Sequence, residues 1–183
     1  MQDNKDREVT HAVRRWLESL VIELNLCPFA KRELVKDRVR FVATQATTKD
    51  ALLSALLDEL ELLQRDAKIE TTLLIHPQVL QKFSDYNQFL SAAESLVAGM
   101  QLEGVFQVAS FHPDYQFAGT SRDDAENYTN RSPYPLLHLL REASLERVID
   151  ETLDVEQIPV RNIEVMNQIG RDELKRLLKK CIA

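Results

Sequence analysis

Short apolar runs of strand length alternate along this chain with longer stretches whose apolar residues recur at helical spacing. The runs are Val39–Ala43, Thr71–Ile75 and Val105–Phe111. Strands that alternate with helices of this length are typical of parallel βαβ units with right-handed crossovers. The pattern therefore predicts an α/β fold on a three-stranded, mainly parallel sheet built from βαβαβ units.

The helical stretches have recognisable starts and stops. Apolar residues at helical spacing over residues 9–24 form one face of a first helix. This helix ends at Cys27–Pro28, because a residue before proline is disfavoured in the α region. Thr47, with Asp50 three residues later, predicts a capping box for the second helix. Pro77 suits the first turn of the third helix.

The last third of the chain begins with a long polar segment. Residues 113–131 lack clear periodicity, and loops of this length inside compact domains are usually functional or disordered. Three helices are predicted after it, over residues 132–149, Asp154–Ile169 and Arg171–Cys181. We therefore expect one domain, residues 1–183, with an N-terminal helix and C-terminal helices packed around the sheet.

Composition limits the classes of partner. The net charge is −6 and the pI is about 5.3, which argues against a general affinity for nucleic acid or an anionic membrane. A local basic pocket for a small anion is still compatible with that charge. No apolar stretch approaches the roughly 18 residues that span a bilayer, and the polar first residues do not resemble a secretory signal. We expect a cytoplasmic protein, and the sequence leaves its oligomeric state open.

Glycine and cysteine usage argues against several common sites. The four glycines form neither a GxGxxG nor a GxxxxGK[ST] pattern, so a standard dinucleotide fold or P-loop is not expected. The two cysteines, Cys27 and Cys181, lie far apart and make no disulfide framework. The chemistry has to be sought in histidines, carboxylates and arginines.

Two of the predicted strands end in histidine and proline. The second runs into His76–Pro77, and the third runs into His112–Pro113–Asp114–Tyr115. Because the carboxyl ends of parallel strands form the ligand crevice of such sheets, His76, His112 and Asp114 are expected on one rim beneath the 113–131 loop. His112 is the candidate acid or base, Asp114 is its orienting partner, and His76 and Tyr115 are candidate ligand contacts.

The other histidines favour structural roles. His76 precedes a predicted helix, whose positive end would keep the imidazole neutral. The interpretation preferred for His76 alone is a helix start with the ring hydrogen-bonded locally. His138 falls within a predicted helix, where a hydrogen-bonded structural histidine is expected.

Cys27 is ambiguous. At the end of the first helix its thiol faces the negative end of the helix, which raises a thiol pKa. A buried cysteine is commonly a small apolar residue of the core, although with His112 it would resemble a thiol–imidazole catalytic pair. A zinc site of His76, His112, Asp114 and Cys27 is a further hypothesis, since these side chains bind zinc. No CxxC or HxxxH spacing supports it.

The segment just before the helix predicted over residues 132–149 contains candidate anion ligands. Arg131 is a forked donor suited to carboxylate or phosphate, and Asn127 and Asn130 are candidates for orienting polar ligand groups. Ser132–Pro133 is predicted to open a helix, whose free amides would bind an anion. The alternative, ranked equal, is that Arg131 is paired with a nearby carboxylate, namely Asp123, Asp124 or Glu126.

Several of these segments together resemble the uncharacterised bacterial family catalogued as domain of unknown function 1415. The similar segments are Leu26–Ala30, Thr71–Gln78, Gln107–Phe117, Glu126–Pro135 and His138–Ser144. The resemblance covers about residues 8–170, and the helical tail 171–183 lies outside it. It implies family membership alone and assigns no activity, cofactor or site residue.

Two functions from different classes follow from the residues. The first is a small enzyme, of hydrolase or transferase type, that acts on a small anionic molecule at the strand rim. His112 and Asp114 would be catalytic there, Arg131 would hold the anion, and Cys27 would be a nucleophile or a pocket wall. The second is a non-catalytic module that binds a metabolite or docks onto a protein.

Overall fold

A computed structural model describes residues 2–151 and 157–183. The described residues form one mixed sheet of four strands: β1 Val39–Ala43, β2 Thr71–Ile75, β3 Phe106–Phe111 and β4 Leu136–Arg141. The strand order is β1-β2-β4-β3, with β1 parallel to β2 and β4 antiparallel to both of its neighbours. The α/β class and the three predicted strands are therefore confirmed, but the three-stranded, mainly parallel sheet was wrong in detail.

The fourth strand corrects the prediction of a helix over residues 132–149. Its leucines are buried on both sides of the sheet, as expected for a central strand. A short run such as Leu136–Leu140 fits a buried strand as well as a helix, so periodicity alone did not separate the two. His138 consequently lies on a strand, opposite Leu73. The helix begins only at Glu142.

Seven α-helices lie within the described parts of the chain. They are α1 Gln2–Trp16, α2 Pro28–Val35, α3 Lys49–Arg65, α4 Phe83–Gly99, α5 Glu142–Glu151, α6 Gln157–Ile169 and α7 Arg171–Ile182. A π-helical turn, Leu17–Ile22, continues α1, and a short 3₁₀ helix, Ala125–Thr129, lies inside the long loop. The predicted start of α6 at Asp154 lies outside the described residues.

Three predicted helix boundaries were wrong. Pro28 was predicted only to end the first helix, but it also opens the second helix α2, which was not predicted. Thr48 rather than Thr47 caps α3, and its Oγ accepts a hydrogen bond from the Ala51 amide at 3.2 Å. Pro77 does not open a helix: Leu80 adopts a left-handed conformation (φ 58°), and α4 begins only at Phe83.

Apolar clusters cover both faces of the sheet. One face packs against α3 and α4, with Leu56, Leu60 and Phe89 in its core. The other packs against α1, α6 and α7, with Trp16 and Met166 in its core. The central strand β2 contributes Leu74 to the first cluster and Leu73 and Ile75 to the second. Within the described residues, no helix combines the length and the apolar character needed to cross a membrane.

Candidate functional site

His76 and His112 come together at the carboxyl edge of the sheet, but both side chains are fully buried. Both rings pack against Tyr86 of α4, with centroid separations of 5.7 Å for His76 and 5.1 Å for His112. The Tyr86 hydroxyl donates to Leu136 O at 2.7 Å and accepts from the Phe111 amide at 2.9 Å. The predicted convergence of the two imidazoles is therefore correct, but they meet in the core.

His112 uses both ring nitrogens within the protein. Nδ1 accepts a hydrogen bond from the Asp114 amide at 3.0 Å, so Nε2 carries the proton and donates to Leu80 O at 3.1 Å. Burial lowers the pKa of His112 from its ordinary value, which favours the neutral ring. In this conformation the imidazole has no free nitrogen and no exposed edge with which to meet a substrate.

Asp114 orients His112 through its backbone, and its carboxylate has another partner. The carboxylate accepts from Arg122 Nη2 at 3.0 Å, and about half of the Asp114 side chain is exposed. The geometry therefore differs from the expected carboxylate–imidazole pair. Asp114 belongs instead to the charged surface above the sheet edge.

His76 is held by the turn that follows β2. Its Nδ1 donates to Val79 O at 2.9 Å, and Nε2 is buried without a partner among the described residues. Desolvation, with a smaller contribution from neighbouring His112, lowers the pKa of His76 to about 4. The ring is neutral, as the sequence predicted, but the cause is burial rather than a helix end, since α4 starts seven residues later.

Cys27 lies apart from the histidines. It precedes α2 and packs against the cluster on the α1 side of the sheet, whereas His76 and His112 contact Tyr86 on the other side. Burial raises the pKa of the Cys27 thiol, and this outweighs the lowering by the amides at the start of α2. Across residues 2–151 and 157–183, no three His, Cys, Asp or Glu side chains are grouped to hold a metal ion.

The two asparagines shape the 113–131 loop. Asn127 is fully buried: its Oδ1 accepts from the Phe117 amide and from the Thr120 hydroxyl, both at 2.9 Å, and its Nδ2 donates to Ser121 O at 2.8 Å. Asn130 Nδ2 donates to Ser110 O at 3.0 Å. These amides hold backbone in place, so the observed contacts are structural.

Tyr115 anchors the start of the same loop. Its ring packs on Phe83 and Phe117, with centroid separations of 5.1 and 5.0 Å. Its backbone carbonyl accepts a hydrogen bond from Arg131 Nε at 3.0 Å. The ring therefore ties the loop to α4, and the carbonyl helps to position Arg131.

Arg131 is a buried cation held by neutral groups. Only 7% of the residue is exposed. Nη2 donates to Arg122 O at 2.7 Å, and the guanidinium carbon lies 4.5 Å from the centroid of the Tyr128 ring. None of the three carboxylates expected as alternatives is its partner. Among the described residues nothing hydrogen-bonds to Nη1, which leaves donor capacity on a side chain that lines a cavity.

This cavity has a volume of about 250 Å³ and lies between the 113–131 loop and α7. Among the described residues that line it, five are cationic: Arg122, Arg131, Arg171, Lys175 and Lys179. Two are carboxylates, and each is paired: Asp114 with Arg122 at 3.0 Å and Asp123 with Arg171 at 3.1 Å. Three positive charges are left without a carboxylate partner, in a protein whose net charge is −6.

The cavity is lined by some of the site residues predicted from the sequence, but not by all of them. Asp114 and Arg131 line it, as does Pro133 just before β4, but His76, His112 and Cys27 are not among its lining residues. Ser132–Pro133 opens no helix, so the predicted helix amides are not available there.

Sequence reasoning missed the contribution of α7. Arg171, Lys175 and Lys179 follow one another at intervals of four, which aligns them on one helix face. That spacing was the sequence signal that could have revealed a cationic face. The role of this face depends on where α7 packs in the fold, which a local sequence pattern does not reveal.

Comparison with known proteins identifies a family. The family model described as Protein of unknown function (DUF1415) matches residues 8–176, which confirms the resemblance found in the sequence. The match extends into α7 and includes Arg171 and Lys175. The expectation that the whole helical tail 171–183 lies outside the family was therefore wrong. No curated protein and no solved structure matches the chain.

Proposed function

This chain belongs to the family described as Protein of unknown function (DUF1415), and we propose that it binds a small anionic molecule in the cavity between the 113–131 loop and α7. The observation that carries the proposal is the excess of positive charge in this one cavity. A concave site with a few convergent polar groups is the usual form of a small-molecule site. Charged groups in a cleft also raise the local concentration of a ligand of opposite sign.

The rigidity of Arg131 supports a binding role. Its guanidinium is fixed by two backbone carbonyls and the Tyr128 ring, so little side-chain entropy would be lost on binding. Lys175 and Lys179 are exposed, and neither has a carboxylate partner within the described residues. A bound anion would supply the missing negative charge.

Of the two functions expected from the sequence, this geometry favours the binding module. A general acid or base has to reach the proton that it transfers, and the fully buried His112 uses both nitrogens for protein hydrogen bonds. The ligand site of the proposal needs no histidine. We propose, in keeping with the sequence, that the protein acts in the cytoplasm on a soluble ligand.

A matched set of lysine variants tests the proposal. Isothermal titration with inorganic phosphate at constant ionic strength should give saturable binding to the unmodified chain. The double variant K175Q/K179Q should weaken it by at least about tenfold, since each charge-assisted contact is worth on the order of 1.5–3 kcal/mol. Lys180 lies on the same helix but lines a different groove, so K180Q is the control and should bind normally. Equal binding by K175Q/K179Q and K180Q would refute this site.

A hydrolase or transferase that acts on the same anion is the second candidate. It is favoured by one observation, namely that Asp114 and Arg131 line the same cavity, which brings a carboxylate beside the proposed ligand. Turnover of p-nitrophenyl phosphate by the purified chain, abolished in D114N and retained in K180Q, would support it. Turnover that survives in D114N would rule out this role of Asp114.

A further inference from the structure

We propose that the anion bound in this cavity is the phosphate monoester of a small organic molecule. This inference rests on the proposed function and narrows it to one class of ligand. Three features carry it: the number of unbalanced charges, the type and origin of the donors, and an apolar wall beside them. The experiment below separates failure of this inference from failure of the anion site itself.

The charge of the cavity favours a dianion. Arg131, Lys175 and Lys179 have no carboxylate partner in the described part of the chain. A monocarboxylate would balance one of these charges. A phosphate monoester carries about −1.5 to −2 charges at neutral pH and presents three terminal oxygens, so it balances most of the excess.

The donors approach from two different elements. Arg131 comes from the end of the long loop, with Nη1 lacking a partner among the described residues and the rest of the guanidinium fixed. Lys175 and Lys179 come from adjacent turns of α7. A planar guanidinium suits phosphate oxygens in fixed geometry, whereas flexible ammonium groups contribute as mobile point charges. Together they suit a group with several equivalent oxygens.

An apolar wall completes the cavity. Tyr128, Pro133, Leu178 and Ile182 line it together with the cations. The volume of about 250 Å³ exceeds the roughly 150 Å³ of a cavity that accepts benzene. A phosphoryl group and an organic group of about that size therefore fit together, whereas inorganic phosphate alone would leave the apolar wall uncovered.

Two probes of the same shape and different charge test the inference. Phenyl phosphate is a dianion at pH 7.5, and phenyl sulfate is a monoanion throughout. By isothermal titration at constant ionic strength, phenyl phosphate should bind at least about tenfold more tightly at pH 7.5. At pH 5.5 the advantage should shrink to about threefold or less, since the second phosphate pKa is about 6. Phenyl sulfate at both pH values controls for titration of the protein.

The lysine variants and a third probe show which of the two proposals each outcome would overturn. The preference for phenyl phosphate should disappear in K175Q/K179Q and persist in K180Q. Equal binding of phenyl phosphate and phenyl sulfate, lost together in K175Q/K179Q, would overturn the phosphate inference and leave the anion site standing. Binding of the dicarboxylate phthalate as tightly as phenyl phosphate would also overturn it. Absence of binding by all three probes would overturn both proposals.

Discussion

Tyr86 links two strands at the carboxyl edge of the sheet and packs against both histidines there. Its hydroxyl bridges Leu136 O on β4 and the Phe111 amide on β3, and its ring contacts both buried histidines. Full burial raises the pKa of this phenol, so the group remains a neutral donor and acceptor. Sequence reasoning selected the histidines because they end two strands, but it gave no indication that a tyrosine from α4 would enclose them.

Substituting Tyr86 tests this role. Tyr86→Phe removes the hydroxyl and leaves the buried Leu136 carbonyl and the partly buried Phe111 amide without this partner. We expect the free energy of unfolding to fall by about 1–3 kcal/mol in urea denaturation. Tyr115→Phe is the matched control, because the Tyr115 hydroxyl has no protein hydrogen bond among the described residues; it should change stability by less than about 0.5 kcal/mol. Equal losses in the two variants would contradict the bridging role.

The lowered pKa values of His76 and His138 predict a loss of stability in mild acid. His76 and His138 titrate near pH 4 in the folded chain, against 6.5 ordinarily. The unfolded state therefore binds more protons between these pH values, so stability is full above about pH 6.5 and falls as the pH decreases toward 4. From pH 7.5 to 5.0 each histidine should cost about 2 kcal/mol of unfolding free energy in urea titrations.

One variant isolates the contribution of His138. The Thr71 hydroxyl donates to Leu139 O and so accepts from His138 Nε2, at 2.7 Å. His138→Gln keeps a donor near that position and removes the titrating ring, so the difference in stability between pH 7.5 and 5.0 should shrink by about 2 kcal/mol. The exposed His11→Gln should leave the difference unchanged. An unaltered pH dependence in His138→Gln would contradict the assignment.

The elements differ in how far local sequence determined them. β1 and β2 were predicted with their observed bounds, because each is a short apolar run with clear flanks. β4 was missed because a leucine-rich central strand has no period of its own. The start of α4 was missed because residues after Pro77 are held as turns by one local and one long-range contact. Val79 O and Leu80 O accept hydrogen bonds from the two histidine rings.

The attachment of α7 to α1 is an element-level feature that bears on the cavity. Arg15 of α1 donates to Cys181 O from Nη2 at 2.6 Å and from Nε at 3.0 Å, and so caps the end of α7. Arg15→Gln should lower amide-exchange protection in the last turn of α7 by about fivefold to thirtyfold, as expected for a loss of about 1–2 kcal/mol.

The adjacent arginine gives the control. Arg14 pairs with Glu18, and among the described residues it has no hydrogen bond or ion pair with α7. Arg14→Gln should therefore leave the exchange rates of α7 unchanged. Similar exchange in both variants would show that the Arg15 cap does not hold the helix end.

At the scale of the whole molecule, the histidine pair and the cationic cavity lie in different places. The histidine pair lies in the core on the α3–α4 side, whereas the buried Arg131 and the exposed Lys175 and Lys179 line the cavity between the 113–131 loop and α7. Sequence reasoning directed attention to the carboxyl edge and the long loop, and it named Arg131 as a candidate anion ligand or a partner of a nearby carboxylate. It did not predict that α7 supplies further cations, since a helix about 40 residues downstream reaches this edge only through tertiary packing.

The most direct test of the central claim maps where an anion binds. An amide NMR titration of the full chain with inorganic phosphate should shift resonances at the end of the 113–131 loop and along the face of α7 that carries Lys175 and Lys179. The same titration of K175Q/K179Q should give little change. Shifts confined to another surface, such as the groove beside Asn162 on α6, or no saturable shifts at all, would contradict the account.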